Sequence, residues 1–146
     1  LQITLAVAGE APSEIRAVGV PVLTDKVDLC HAWVEFPGGL VANLTASRVS
    51  AERIRKLRLF GRASYFSIDY AEQSVSAAQL LRGPKGAEIA PRVVEVVKDE
   101  PLRAELAAFI GACRGEGTAI VDGRTGAAAL AAATTIRRSV EQRRIL

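Results

Sequence analysis

The 146-residue chain carries 19 basic side chains, 16 acidic ones and a single His, for a net charge of +3, with 49% hydrophobic and 24% charged residues. That composition fits one globular domain with a sizeable core, and the charge is too weak to demand nucleic acid as a partner. No run approaches the roughly 20 apolar residues that span a bilayer, and no basic-then-apolar leader opens the chain, so a cytoplasmic location is expected and no membrane partner is.

The chain opens on LQITLAVAGE, which reads as the end of a helix with Leu1, Leu5 and Ala8 on one face. It holds no Met. An element met part-way through leads us to expect a piece of a longer protein. SEIRAVGVPV (13–22) then reads as a strand, with Pro21 near its end, where a missing amide donor matters least. Residues 27–36 are extended, with Cys30, Ala32, Val34 and Phe36 on one face and Leu29, His31, Trp33 and Glu35 on the other. Residues 40–48 return as the partner strand. The register between them stays open. Gly38-Gly39 suits a two-residue turn pairing Phe36 with Val41, whereas a three-residue turn pairs Phe36 with Leu40 and gathers the apolar side chains on one face. In either register neither face is plainly solvent-like, so the sheet needs a cover on each side.

SAERI (50–54) is expected as one helical turn capped by Ser50. A second hairpin follows, KLRLFG (56–61) and SYFSIDY (64–70), turning around Gly61-Arg62. SAAQLLR (76–82) and EIAPRVVEVV (88–97) read as further strands, split by Gly83-Pro84-Lys85-Gly86, with Pro91 marking an edge or an interruption. The period then changes. Asp99 is the expected cap of a helix with Pro101 in its first turn, and Leu102, Leu106, Phe109, Ile110 and Cys113 follow at helical spacing. Gly115 and Gly117 end it. Asp122 caps the last helix, whose expected buried stripe is Gly126, Ala129, Leu130, Ala133, Ile136 and Val140. Arg137, Arg138, Arg143 and Arg144 sit near its C-terminus, where they favour the dipole. The order implies an α+β fold: a predominantly antiparallel open sheet of about six or seven strands with helices packed on one face, in a single domain over 1–146.

The residues themselves say less about chemistry. There is no G-x-G-x-x-G, P-loop or G-x-S-x-G. Cys30 and Cys113 are expected to be small buried hydrophobes. His31 has hydroxyl-bearing cross-strand neighbours but no orienting acid, so it reads as a packed or interface histidine. The carboxylates read as solvated, capping or salt-bridged groups. The basic cluster Arg48, Arg53, Arg55, Lys56, Arg58 and Arg62 faces a single acid, Glu52, within residues 48–62. Most of it is expected to be a solvated face. Arg48 stands apart, at the mouth of the Thr45-Ala46-Ser47 run. With Ser47, Thr45 and Trp33 it forms the candidate substrate-binding set, a few polar groups on an apolar wall. A catalytic set is not expected.

VEFPGGLVANLTASRVSAERIRKLRLF (34–60) resembles the C-terminal domain of the Gfo/Idh/MocA oxidoreductases (glucose–fructose oxidoreductase, inositol dehydrogenase and their relatives). SYFSIDYAEQ (64–73), DEPLRAELAAFI (99–110) and DGRTGAAAL (122–130) continue the likeness in order, over essentially the whole chain. The resemblance implies a parent in which an N-terminal Rossmann domain, missing from this chain, binds NAD or NADP. It implies that this domain helps to hold a sugar-like small molecule and pairs with a second copy through its open sheet face. The resemblance implies a catalytic Asp and His near the opening helix, the His just upstream of it, both missing from this chain, and His31 does not inherit that role. The fragment is therefore expected to hold no cofactor and to be inactive alone. The competing reading is a self-contained, non-enzymatic α+β module for dimerisation or ligand binding.

Overall fold

The computed structural model describes residues 1–84, 86–117 and 121–142. Lys85, Arg143 and Arg144, named above in a turn and at a helix end, lie outside the described residues. The described chain holds three helices and seven strands, antiparallel throughout, in sheets of three and four strands. It divides into two compact units, Leu1–Ala51 with Gly117–Leu146, and Glu52–Glu116.

The first unit is a three-stranded sheet under a helix. Helix α1 (Gln2–Ala8) ends at Gly9, whose φ of 69° gives the left-handed cap that glycine adopts at least cost. Strands β1 (Glu14–Val20), β2 (Leu29–Glu35) and β3 (Val41–Ser47) lie in that order. The β2–β3 register is settled by the three-residue turn. Glu35 faces Val41, and the Phe36 amide donates to the Leu40 carbonyl (3.0 Å). Cys30, Ala32 and Val34 therefore oppose Ala46, Leu44 and Ala42. Gly39 alone takes a positive φ (84°), while the Gly38 amide donates to Glu10 Oε1 at 2.6 Å. Glu10 thus ties the α1–β1 connection to this turn.

Helix α3 (Gly123–Gln142) covers that apolar face, and α1 packs against α3. Asp122 caps it as expected, its Oδ1 accepting the Thr125 amide at 2.7 Å. The buried stripe keeps four of the six expected positions. Ala132 and Val140 are buried, with Ala129, Ala133, Ile136 and Ser139 half-buried, whereas Leu130 is 68% exposed and Gly126 is exposed. The approach is close at Gly19, where a Cβ would stand 2.5 Å from Val140 Cγ1 and 2.7 Å from Val27 Cγ1. The hydroxyl of Ser139 accepts the amide of buried Ala17 at 2.9 Å, so the outer edge of β1 does not leave that donor unpaired.

The second unit holds β4 (Lys56–Phe60), β5 (Ser64–Asp69), β6 (Ser74–Gly83), β7 (Gly86–Arg92) and helix α2 (Pro101–Cys113). Pro91 lies on the edge strand β7, as its missing amide requires. Three expectations shift. Residues 50–54 form no helical turn, because Ser47 Oγ takes the Val49 and Ser50 amides and closes a tighter turn. The last strand stops at Arg92. The cap of α2 is Glu100, whose carboxylate takes the Leu102 and Arg103 amides, while Asp99 binds the Glu100 amide and pairs with Arg103. Leu102, Leu106, Phe109 and Ile110 do fall on a helix, but each is 47–63% exposed. Cys113, expected to be buried, is exposed, while Cys30 is half-buried and its thiol is pushed up by desolvation.

Candidate functional site on the open face of the three-stranded sheet

The side of the first sheet turned away from α3 carries Glu14, Arg16, Val18 and Val20 from β1, Leu29, His31, Trp33 and Glu35 from β2, and Val41, Asn43, Thr45 and Ser47 from β3. The alternation of strand side chains places them there. Val18, Val20, Trp33 and Val41 are 39–46% exposed. Four large apolar side chains are thus exposed on this one sheet face.

Glu35 organises the middle of this face. Its Oε1 accepts from Trp33 Nε1 at 2.6 Å and from Arg16 Nη2 at 2.7 Å. Arg16 Nε also reaches Glu14 at 3.1 Å, and its guanidinium lies 5.8 Å from the Trp33 ring centroid. The indole is thereby held by a hydrogen bond at its edge and a cation near its ring. One cross-strand pair along, His31 Nδ1 lies 3.0 Å from Thr45 Oγ1.

Of the four candidate residues, Trp33, Thr45 and Ser47 share this face, Trp33 and Thr45 one pair apart. Ser47 Oγ is committed to the 47–50 turn, where Ser50 Oγ donates to it at 2.8 Å. Arg48 stands beyond the strand and binds Asp28, Nη2 to Oδ1 at 2.8 Å. Asp28, which leads into β2, is the residue sequence reasoning undervalued. It is 4% exposed, and Oδ2 accepts the amides of Val22, Leu23 and Thr24 at 3.0, 2.8 and 2.9 Å. Those amides, Val22 first, hold its carboxyl well below the usual carboxylate range against the opposing effect of burial. The available signal was Thr24, a turn former four residues before an acid at the mouth of a strand. Of the basic cluster, Lys56 pairs with Asp69 at 3.0 Å, while Arg53, Arg55, Arg58 and Arg62 are exposed, as a solvated face requires.

No family model matches the chain. UDP-N-acetylglucosamine 3-dehydrogenase from Acidithiobacillus ferrooxidans is 36% identical over 145 residues, which span 97% of this chain and 46% of that protein. A solved structure of that dehydrogenase superposes with a TM-score of 0.86 at 35% identity, covering 97% of this chain and 44% of that one. The chain belongs to the Gfo/Idh/MocA family of oxidoreductases. The aldose-aldose oxidoreductase from Caulobacter crescentus shares the fold, with a TM-score of 0.73 at 23% identity over 98% of this chain and 44% of that one. This Gfo/Idh/MocA chain thus spans less than half the length of the relatives it matches, corresponding to their C-terminal part. No helix among the described residues is long and apolar enough to cross a membrane.

Proposed function

We propose that this chain is the substrate-binding and oligomerisation domain of a nicotinamide-dependent oxidoreductase that oxidises a hydroxyl of a sugar nucleotide, and that it is not catalytic alone. The observation that carries this reading is 36% identity, sustained over 97% of the chain, with an enzyme named for oxidation of UDP-N-acetylglucosamine. The end of β3, with Thr45, Ser47 and Arg48, is the part assigned to substrate. Val18, Val20, Trp33 and Val41, elsewhere on the face that carries Thr45, are assigned to a second copy of the chain, because these exposed apolar groups lie on the side that α3 leaves uncovered.

NAD or NADP bound to the whole protein would supply the hydride acceptor. The residues of this chain do not fit that cofactor. Every strand pairing is antiparallel, so the described residues hold no parallel β–α–β unit to bring a helix N-terminus to a pyrophosphate.

The test is formation of reduced nicotinamide by the full-length polypeptide supplied with UDP-N-acetylglucosamine and NAD or NADP, with the isolated chain titrated against both cofactors. Turnover by the first and no saturable binding by the second are expected. Tight cofactor binding by the isolated chain, or failure of the full polypeptide to oxidise any sugar nucleotide, overturns the reading.

A further inference from the structure

Asp28 and Arg48 do more than close a loop. Three amides converge on Asp28 Oδ2, and Thr24 Oγ1 lies 3.1 Å from Oδ1. Together they replace the water that the buried carboxylate has lost. Its charge therefore has compensation without Arg48, and the low carboxyl pKa is owed first to the Val22 and Leu23 amides. Yet Arg48 Nη2 is held by Asp28 Oδ1 at 2.8 Å and by the Val27 carbonyl at 3.3 Å, although the arginine side chain is 61% exposed.

A long exposed side chain ordinarily keeps its rotamer freedom, and a surface ion pair contributes little to stability. The consequence of this pair is placement. The Arg48 amide also donates to the Asp28 carbonyl at 2.9 Å, and the Ser47 turn fixes the chain on either side. Nε and Nη1 make no bond to a described residue. A guanidinium anchored through one nitrogen, with the rest of its planar fork uncommitted among the described residues, suits the paired oxygens of a phosphate.

We propose that Asp28 is a positioning residue that holds Arg48 to receive the diphosphate of a sugar nucleotide, Arg48 being the residue that touches the ligand. This rests on the reading of the chain as a substrate-binding domain. The amide and hydroxyl donors around Asp28 offset the repulsion that its own charge would exert on an incoming phosphate.

The experiment is calorimetric titration of the full-length polypeptide with UDP, and separately with its nicotinamide cofactor, for the wild type, Asp28→Asn, Arg48→Gln, Arg48→Lys and the Asp28→Asn/Arg48→Gln double variant. Both Arg48 variants are expected to weaken UDP binding roughly tenfold or more, since Lys keeps the charge but loses the fork. Asp28→Asn is expected to weaken it by less, and to add nothing once Arg48 is gone, with cofactor binding unchanged throughout. Asp28→Glu, which keeps the charge and moves it, replaces Asp28→Asn with the same expectation should that variant fail to fold. Wild-type UDP affinity in Arg48→Gln overturns the proposal. Additive effects of the two substitutions overturn the positioning role. A wild type that binds neither UDP nor UDP-N-acetylglucosamine overturns the functional reading along with it.

Discussion

Asp28 ties its charge to the stability of the fold. Its carboxyl is depressed in the folded state by the Val22, Leu23 and Thr24 amides, and it returns to the ordinary value of about 3.9 when the chain unfolds. A depressed folded pKa means that the unfolded state takes up the proton first. The contribution is therefore fully present above about pH 4 and is lost as pH falls toward the folded pKa. Asp28→Asn should lower the denaturant midpoint at neutral pH, and the gap to wild type should narrow as the pH drops below about 4. A gap independent of pH would remove the ionised carboxylate from the account. The sequence offered only Thr24 as a signal, and Asp28 was otherwise one carboxylate among 16 acidic side chains. What distinguishes it is the path of residues 22–24, which turn three amides onto one oxygen.

The strands were legible because alternation is a local signal. The faces of β2 and β3 follow directly from Cys30, Ala32 and Val34 against Leu29, His31 and Trp33. Register was not legible, because two local preferences disagreed. The Gly-Gly pair favoured the shorter turn, and apolar patterning favoured the longer one. Patterning prevailed: the longer turn puts Val34 and Ala32 opposite Ala42 and Leu44 beneath α3, and Gly38 serves as a donor to Glu10 instead of taking a positive φ. Helix α3 shows a related limit. Its apolar residues outnumber the positions that β1 can cover, so Leu130 lies outside while Ser139, a polar residue, faces the sheet to take the Ala17 amide. Removing that acceptor leaves a buried donor unpaired, at a cost of about 1–3 kcal/mol. Ser139→Ala should be destabilised by that amount in denaturant unfolding, and Ser139→Thr, which keeps the hydroxyl, by less. Equal stability of the alanine variant would show that the edge of β1 does not depend on this bond.

Across the whole molecule, the α+β class and the antiparallel strands could be read from the order of periodicities, and the family from motifs in sequence order. The division of seven strands into two sheets could not, because no local signal distinguishes a strand that continues a sheet from one that begins another. The candidate site was half legible. Trp33 and Thr45 share a face by strand periodicity alone, whereas the tie of Arg48 to a residue 20 positions earlier needs the fold. One side of the three-stranded sheet is sealed by α3, and the other leaves Val18, Val20, Trp33 and Val41 exposed, the face we propose for a second copy. Trp33 is the chain's one tryptophan, so its emission reports on that face alone. The decisive measurement is molar mass by light scattering with Trp33 emission recorded on the same samples, for wild type and Trp33→Asp. We predict a wild-type mass of at least two chains with a shielded indole, and a Trp33→Asp mass that falls toward one chain. A wild type that stays a single chain at all concentrations, with Trp33 emitting as a water-exposed indole, would contradict the account.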